Sequence, residues 1–203
     1  MPIDKTASHE KIVKAAKKEF LSYGFNEASM RRIANEAGMS VAGLYKHFAS
    51  KEEMFSTLVE PAYQGLLSLF KQEEGEMKEF AGAGDLSLLE SNHEASFATN
   101  YIYDNLDAFK LLVCKSQGTK YENFIHDIAL LEEKITKSFM GTLKATGVKI
   151  NDFDEHEFHL LATANANAVF ESVRHGFNRE QALHYADTLD RFFSKAWKEF
   201  FGY

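Results

Sequence analysis

Residues 29–51 read SMRRIANEAGMSVAGLYKHFASK, and this stretch predicts two short helices joined by a glycine-centred turn. Ile33 and Ala37 lie on one apolar stripe of the first helix, at helical spacing. Gly38 stands where a helix end favours a left-handed residue, and Ser40 is a residue type that caps the start of the next helix. A helix, a short glycine turn and a second helix form a helix-turn-helix, whose second helix enters the major groove of DNA.

The second helix of this segment, predicted over Val41–Phe48, is short and sparsely apolar. It buries Leu44 and Phe48 and leaves most of its other side chains facing outward. A helix with so few buried side chains is not explained by its contribution to core packing alone. We therefore expect its outer face to bind a partner. The outward residues are Val41, Ala42, Tyr45 and Lys46.

The same segment resembles the helix-turn-helix core of the TetR (tetracycline-repressor) family of bacterial transcriptional regulators. That family's pattern is Gly-hydrophobic-Ser, three variable residues, Leu or Ile, Tyr, any residue, His or Tyr, and Phe, followed after a short gap by Lys and an acidic residue. Upstream, the sequence FLSYGF at 20–25 also fits the end of the family's first helix. The residues that match the pattern are Gly38, Ser40, Leu44, Tyr45, His47, Phe48, Lys51 and Glu52.

This resemblance implies an all-α protein of about nine helices in two domains. Residues 1–50 are expected to form a three-helix DNA-binding domain, and residues 51–203 an effector-binding and dimerisation domain. The implied partners are double-stranded operator DNA, a small-molecule effector and a second copy of the chain. A two-fold dimer matches two half-sites about 34–36 Å apart. We expect a repressor that a lipophilic or aromatic effector releases from its operator.

The rest of the sequence agrees with a helical protein. It contains two prolines, and apolar residues recur at helical spacing almost from end to end. The single cysteine, Cys114, excludes a disulfide framework and a cysteine-based zinc site. There is no apolar run of the roughly 18 residues that a membrane helix needs, and the N-terminus lacks the apolar core of a signal peptide. We therefore expect a cytoplasmic protein without a membrane partner.

Charge is distributed unevenly along the chain. Residues 1–51 contain nine basic and five acidic residues, a net charge of +4, and the whole chain has a net charge of −7. The remaining residues therefore carry −11. A basic N-terminal segment followed by an acidic remainder is expected when only one part of a protein binds the phosphates of a nucleic acid. The alternative is that these basic residues form an ordinary solvent-exposed surface with no partner. The helix-turn-helix pattern disfavours this alternative.

Caps and breaks in the apolar pattern predict the boundaries of the other helices. Ser50 and Glu53 have the spacing of a capping box and open a fourth helix that continues to about Gln72. Pro61 lies inside this helix, so we expect a kink or break just before it. Residues 73–85 are interpreted as a loop. The remaining predicted helices are 9–23, 86–103, 105–116, 120–145, 153–175 and 179–200.

Base recognition is expected at the start of the second motif helix, which comes closest to base edges. The residues of that first turn are Ser40, Val41, Ala42 and Gly43. They are small enough for close approach, and the two apolar side chains favour contact with thymine methyl groups. Guanine contacts are expected from Lys46 and from one or both of Arg31 and Arg32.

Phosphate contacts are assigned through the family resemblance. They fall on Ser29, Tyr45, His47 and Lys51, and they set the register of the protein on DNA rather than its sequence preference. For His47 the alternative is a ring wedged between helices.

An effector pocket is expected among the middle helices, between the fourth and the eighth. Its predicted lining is Phe70, Phe97, Tyr101, Phe109, Leu112, Phe124, Phe139, Asn165 and Phe170. The alternative for each aromatic residue is plain core packing. Asn165 and Asn167 are the stronger indications of a pocket, because a buried amide needs a hydrogen-bonding partner.

A dimer interface is expected on the last two helices, since the ninth is apolar on more than one face. The predicted interface residues are Leu161, Val169, Val173, Phe192, Phe193, Ala196, Trp197 and Phe200. The alternative is that these side chains fill the core of one protomer.

Catalytic and metal sites are not predicted. A di-iron bundle needs two Glu-x-x-His motifs, and only Glu90–His93 has that spacing. His156 and His159 lie beside acidic residues at a predicted helix start, where those residues offset the helix dipole. No P-loop, glycine-rich cofactor motif or nucleophile–base pair is visible, so we expect neither an enzyme nor a cofactor. Two other classes stay open: a ligand-carrying or enzymatic helical bundle, and a helix-turn-helix used only for protein contact.

Overall fold

In the computed structural model, residues 5–84 and 94–202 are described. Within these ranges the chain forms nine α-helices and no strand, which confirms the all-helical prediction. The helices are α1 (Lys5–Glu27), α2 (Met30–Glu36), α3 (Val41–Leu44), α4 (Lys51–Gly82), α5 (Glu94–Asp104), α6 (Leu106–Cys114), α7 (Phe124–Ala145), α8 (Glu155–Arg174) and α9 (Arg179–Phe201).

The described residues divide into two compact units. The first unit consists of Met1–Gln64 and Asn105–Glu122, and the second of Gly65–Asp104 and Asn123–Tyr203. This division differs from a domain boundary at residue 50, because the first half of α4 and all of α6 belong to the first unit. Helix α4 is the element that both units share.

Aromatic packing and one ion pair organise the first unit. The fully buried rings of Phe20 and Phe55 meet edge to face at 5.2 Å. Gly24 interrupts α1 with a φ of 74°, a left-handed conformation that glycine adopts without strain. The Nζ atom of Lys17 on α1 lies 2.7 Å from the carboxylate of Asp107 on α6. These contacts hold α1, α4 and α6 around one core.

Helix α4 is longer than predicted. It continues to Gly82 with Pro61 inside it, so the loop predicted over 73–85 is wrong for 73–82, and the helix does not break before Pro61; the predicted kink there stays a prediction. Proline has no N–H to donate to the carbonyl four residues earlier, yet one missing bond does not end a helix whose face is buried. Met77 and Ala81 are buried, and Gln72 donates to Glu76 one turn away at 3.0 Å.

The N-terminus of α4 departs slightly from the predicted capping box. The hydroxyl of Ser50 accepts a hydrogen bond from the N–H of Glu53 at 3.0 Å, as predicted. The carboxylate of Glu53 accepts instead from the N–H of Ala49, one residue before the N-cap, at 2.5 Å. Both bonds still satisfy backbone donors that the helix leaves unpaired.

The second unit is built around an aromatic cluster contributed by α8, α9 and the residues before α8. Phe158 lies within 5.2 to 6.2 Å, ring centre to ring centre, of Phe153, Trp197, Phe200 and Phe201. Other buried members of the cluster come from α4 and α7: Met77, Ala81, Ile135, Phe139, Met140 and Leu143.

Polar caps fix several helix starts of the second unit. Asn178 and Gln181 form the capping box of α9. Asp154 accepts hydrogen bonds from His156 and Glu157, so α8 begins at Glu155 rather than at the predicted 153. Helix α7 begins at Phe124 and not at 120, and α5 is described from Glu94, while 86–93 lie outside the described residues.

Candidate functional site

The turn between α2 and α3 has the geometry that its glycine predicts. Gly38 has a φ of 70° and follows Ala37, the C-cap of α2. The N–H of Met39 donates to the carbonyl of Ala34 at 2.9 Å, and the N–H of Gly38 to the carbonyl of Asn35 at 3.1 Å. This pair of bonds is a Schellman motif, which satisfies the last carbonyls of α2 and sets the direction in which α3 begins.

Helix α3 is shorter than the predicted 41–48 and continues as a turn. The hydroxyl of Ser40 accepts from the N–H of Gly43 at 3.1 Å and caps the helix start. After the helix ends at Leu44, the N–H of Phe48 still donates to the carbonyl of Leu44 at 3.1 Å. Leu44 and Phe48 are buried, as predicted.

The predicted base-reading residues lie on the accessible side of α3. Ser40, Ala42 and Lys46 are exposed, Val41 and Gly43 are half-buried, and Tyr45 keeps 49% of its surface exposed. His47 is half-buried. The structure thus brings the predicted base-reading residues together on one short segment, with an exposed tyrosine and lysine at its end.

The two adjacent arginines of α2 have different surroundings. Arg31 is exposed and forms no ion pair or hydrogen bond with a described residue. Arg32 instead donates through Nε to Glu19 at 2.7 Å and through Nη2 to the carbonyl of Glu27 at 2.7 Å. Its guanidinium also lies 4.3 Å from the ring centre of Tyr23. The hydrogen bond with Glu19 raises the pKa of Arg32 above its usual range. The guanidinium of Arg32 is therefore engaged by Glu19 and Glu27 although its side chain is exposed, and Arg31 is the better placed of the pair for the predicted base contact.

Glu19 is the functional neighbour that the sequence did not single out. Its side chain is 8% exposed, and its carboxylate also accepts from the N–H of Ser29, the N-cap of α2, at 2.8 Å. A charged acceptor at the N-terminus of a helix is favourable both for the hydrogen bond and for the helix dipole. The available signal was a glutamate on the inner face of α1, four residues from Ala15 and next to Phe20.

Lys51 also has an intramolecular role. Its Nζ donates to the carbonyls of Asn26 at 3.2 Å and Ala28 at 3.3 Å, and lies 4.5 Å from the ring centre of Phe25. These contacts join the start of α4 to the end of α1. The side chain is half-buried, and its predicted phosphate contact, like that of Ser29, stays a prediction.

An exposed ion pair reduces the charge that α1 and α2 offer to a partner. Lys18 lies 2.7 Å from Glu36, and the hydrogen bond between them raises the pKa of Lys18 and lowers that of Glu36. Lys46, in contrast, is exposed and makes no ion pair with a residue of the described ranges. Arg31 and Lys46 are the cations next to the turn between α2 and α3 that are exposed and outside the ion pairs of the described residues.

The second unit contains a cavity of about 480 Å³, a size typical of small-molecule sites. Five of the nine predicted lining residues line it: Phe70, Phe97, Phe139, Asn165 and Phe170. Its remaining aromatic residues are Phe158, Phe193, Trp197 and Phe201. The side chains come from α4, α5, α7, α8 and α9.

Four predicted lining residues lie elsewhere. Phe109 and Leu112 are buried in the first unit, because α6 packs there. Phe124 meets Phe170 edge to face at 5.1 Å and supports the cavity wall without lining it. Tyr101 lies against Gly65 of α4, where a Cβ would meet its hydroxyl, and burial raises the pKa of its phenol.

The charged residues of the described cavity lining are acidic, which the sequence analysis did not predict. Glu73, Glu76, Glu132 and Asp190 are among the lining residues. Asp190 is buried and accepts from the N–H of Ala95 at 2.9 Å and from the N–H and hydroxyl of Ser96. Among the two asparagines, Asn165 lines the cavity, whereas Asn167 donates to the carbonyl of Thr163 at 2.8 Å.

The predicted dimer residues divide between the surface and the interior of the second unit. Leu161 and Phe192 are 42% and 66% exposed, and Ala196 is exposed. Val173 is a buried core residue, and Phe200 packs on the aromatic cluster. The other three predicted residues line the cavity: Val169, Phe193 and Trp197. Leu160, which was not predicted, is 67% exposed.

The histidines do not assemble a metal site among the described residues, where no group of three suitable ligands occurs. His159 pairs with Glu133 at 2.8 Å, and His156 is exposed at the start of α8. The Glu90–His93 motif lies outside the described residues. In the part of the chain that the structure describes, no helix is both long enough and apolar enough to cross a membrane.

Comparisons with known proteins agree with this geometry. The sequence profile described as "Bacterial regulatory proteins, tetR family" matches residues 12–58. The chain is 39% identical over 64 residues to the uncharacterized HTH-type transcriptional regulator YfiR of Bacillus subtilis (strain 168). That alignment covers 31% of each protein, so it spans about a third of the curated relative.

Two solved structures share the fold along most of their length. The TetR family transcriptional regulator PfmR from Thermus thermophilus aligns with a TM-score of 0.56 and 23% identity, covering 89% of this chain and 97% of PfmR. The transcriptional regulator FadR from Bacillus subtilis, in complex with stearoyl-CoA, aligns with a TM-score of 0.54 and 12% identity, covering 90% of this chain and 95% of FadR. At these identities the likeness concerns the fold.

Proposed function

We propose that this chain is a DNA-binding transcriptional regulator of the TetR family and that it acts as a homodimeric repressor whose affinity for operator DNA is lowered by a small molecule; the match of residues 12–58 to the family profile supports the proposal. The single observation that carries the proposal is the combination, in one chain, of an exposed recognition segment after Ser40 and a cavity of about 480 Å³ in the second unit.

Base recognition rests on α3 and its neighbours. Ala42 and Gly43 put little bulk between the backbone and DNA, so α3 comes close to base edges. Arg31 and Lys46 are exposed cations with no ion pair to a described residue, and they supply contacts to guanine or phosphate. Arg32 and Lys51 hold the segment in shape through contacts within the protein.

Homodimer formation is supported by exposed apolar side chains on α8 and α9. Leu160, Leu161 and Phe192 are large, apolar and 42% to 67% exposed. Large apolar side chains grouped on two helices favour a protein interface. A two-fold dimer presents two copies of α3 to two half-sites of an operator.

Helix α4 supplies the connection between effector and DNA. It begins next to the recognition segment, where Ser50 caps it, and its residues Leu66 and Phe70 line the cavity. A ligand in the cavity therefore contacts the same continuous helix that follows the DNA-binding segment. Pro61 lies between these points and removes one helical hydrogen bond, which makes it the place where α4 bends at least cost. Pro61→Ala is expected to reduce ligand-induced release from DNA.

Selection of bound fragments from random DNA by the purified protein tests DNA recognition. We expect one inverted repeat, and binding that weakens steeply as salt increases. Arg31→Ala and Lys46→Ala each reduce the slope of log K against log[salt] by about one. Lys110→Ala, on α6 outside the recognition segment, is the matched control. Slopes that stay unchanged in both variants contradict the assignment of these two cations.

Transcription in vitro from a promoter that carries the selected site separates repression from activation. We expect transcript levels to fall when protein is added and to recover when a ligand fills the cavity. A rise on addition of the protein contradicts the repressor assignment. Sedimentation at micromolar concentration tests the dimer, and Phe192→Asp is expected to shift it to monomer.

A further inference from the structure

Gly65 of α4 leaves a notch in the helix surface that is filled by the side chain of Tyr101 from α5. A Cβ atom built on Gly65 would lie 2.7 Å from Cζ of Tyr101 and nearer still to its hydroxyl oxygen. Non-bonded carbon atoms are in contact at about 3.5–4.0 Å, so no other residue type fits at position 65 unless the ring or the helix moves. Both residues belong to the second unit. Gly75, in contrast, would place a Cβ with no described atom within 4 Å.

The notch adjoins the cavity on both of the helices that form it. On α5, Ala98 and Ile102 line the cavity on either side of Tyr101, which is itself outside the described lining. A ligand that pushes α4 and α5 apart therefore withdraws the ring from the notch. Residues of α4 that line the cavity on the face of Gly65 are Leu69, Gln72 and Glu76.

Helix α5 is fastened to α9 near both of its ends. The buried carboxylate of Asp190 accepts from the N–H of Ala95 at 2.9 Å and from the N–H of Ser96 at 3.2 Å. Near the other end, the hydroxyl of Tyr103 donates to the carbonyl of Phe177, just before α9, at 3.0 Å. Hydrogen bonds to a charged acceptor are the stronger kind. Displacement within this part of the second unit is therefore easier for α4 than for α5.

Helix α4 is also weakest beside the notch. Pro61, one turn before Gly65, has no N–H and leaves one helical hydrogen bond unmade. Glycine inside a helix lowers its stability because the unfolded backbone has more freedom to lose. The boundary between the two units falls in the same turn, between Gln64 and Gly65. A displacement of the notch thus acts where α4 bends at least cost.

We propose that Tyr101 in the notch at Gly65 is the contact through which occupancy of the cavity regulates DNA binding. The ring fills the notch in the state that binds DNA, and a ligand in the cavity separates the two residues and bends α4. This inference rests on the proposed function and specifies how its cavity is connected to its DNA-binding region. Tyr101 is a positioning residue, since it acts through α4 from outside the cavity lining.

Gly65→Ala tests the contact without a ligand, because the added methyl group displaces the ring. We expect the affinity of the full chain for the selected DNA fragment to fall by about tenfold or more, as the protein shifts toward the ligand-binding state. The same shift should tighten binding of N-phenyl-1-naphthylamine, a neutral probe that fluoresces in apolar cavities, by about threefold or more. General damage to the structure would weaken both affinities. Gly75→Ala, the same change elsewhere on α4, is the matched control and keeps both affinities of the parent protein.

A double-mutant cycle tests whether the ring of Tyr101 causes the effect. In a Tyr101→Ala background the methyl group at position 65 has room, so Gly65→Ala is expected to change DNA affinity by less than about threefold. Tyr101→Trp overfills the notch from the side of α5 and is expected to give the same two opposite shifts as Gly65→Ala. It replaces that variant in the test if Gly65→Ala does not fold.

Each outcome has a definite meaning. Unchanged DNA affinity in the folded overfilled variant, a fall in both affinities, or an equal effect of Gly65→Ala with and without the ring overturns the inference. Failure of the proposed function is seen differently: the parent protein then selects no DNA fragment, and the inference falls with it. If the parent binds DNA and the variants do not respond, the proposed function stands and only the role of Tyr101 fails.

Discussion

Residues 29–51 hold their shape mainly through hydrogen bonds between side chains and backbone, whereas the second unit holds its shape through clustered aromatic rings. In the first region Ser29, Ser40 and Glu19 satisfy N–H groups at helix starts. In the second, Phe158 alone contacts four other rings. The difference teaches that a surface such as the one proposed to read DNA can be kept small and accessible when helix caps, rather than large buried side chains, hold its shape. A ligand cavity, in contrast, needs large side chains to form its walls.

The largest expected effect falls on the aromatic cluster. Phe158→Ala removes a side chain that is 1% exposed and leaves a cavity among four rings. We expect the free energy of unfolding to fall by about 3–5 kcal/mol. Chemical denaturation measures it. Leu130→Ala, at an exposed position of α7, is the control and is expected to change stability by less than about 0.5 kcal/mol. A small loss in the free energy of unfolding for Phe158→Ala would contradict the conclusion that clustered aromatic rings stabilise the second unit.

The next effect tests whether one carboxylate supports the DNA-binding region. Glu19→Ala takes the charged acceptor from the N–H of Ser29 and leaves Arg32 without its ion pair. We expect a loss of about 2 kcal/mol in the free energy of unfolding, since hydrogen bonds to charged groups contribute about 1.5–3 kcal/mol. Glu36→Ala, which removes an exposed partner of Lys18, is the matched control and is expected to leave stability unchanged. Equal effects for the two variants would show that burial of Glu19 is unimportant.

Substitutions of two glycines, one in each region, test how the backbone conformation of these regions affects stability. Gly38 has a φ of 70°, so Gly38→Ala is expected to cost about 1–2 kcal/mol in stability. Gly75 lies inside α4, where a Cβ would meet no atom within 4 Å, and Gly75→Ala is expected to stabilise the protein by about 0.5–1 kcal/mol. Thermal unfolding of the two variants should shift in opposite directions. A stabilising Gly38→Ala would contradict the left-handed turn between α2 and α3.

An effect smaller than those of Phe158→Ala and Glu19→Ala concerns Tyr121, whose hydroxyl donates to Glu60 of α4 within the first unit. This hydrogen bond lowers the pKa of Glu60, so the stabilisation is present above the ordinary glutamate pKa and is lost as pH falls through the lowered value. Tyr121→Phe is expected to cost about 1 kcal/mol at neutral pH. The difference from the parent protein should vanish under acidic conditions, as followed by denaturation at a series of pH values. A difference that persists at low pH would assign the loss to packing.

Much of the first region could be predicted from sequence because its structure follows local rules. The Schellman turn at Gly38, the cap at Ser40 and the cap at Ser50 each depend on residues within a few positions of one another. The contacts that Arg32 makes within the protein could not be predicted from such local rules. Its partner Glu19 is on another helix, and two adjacent arginines look equivalent in the sequence.

The second unit was predicted in outline and not in detail, for a related reason. Helical periodicity identifies an apolar face without saying which neighbour that face meets, so Phe109 was assigned to the cavity although α6 packs in the first unit. The continuation of α4 was missed because Gly75, Gly82 and Gly84 suggested a loop. Buried Met77 and the pair of Glu74 with Lys78 stabilise the helix there.

The ion pairs of the first unit have a consequence for the rate at which a protein with the proposed function associates with DNA. Lys17, Lys18 and Arg32 each lie beside a carboxylate, at 2.5 to 2.7 Å. A paired cation acts over distance as a dipole, whose field fades faster than that of a charge and is screened within about 10 Å at 0.1 M salt. Long-range attraction to phosphates is therefore carried by fewer charges than the nine basic residues of the segment suggest. The acidic remainder of the chain opposes approach, so we expect association to be slower than for a uniformly basic protein and orientation-selective, favouring encounters in which α3 leads.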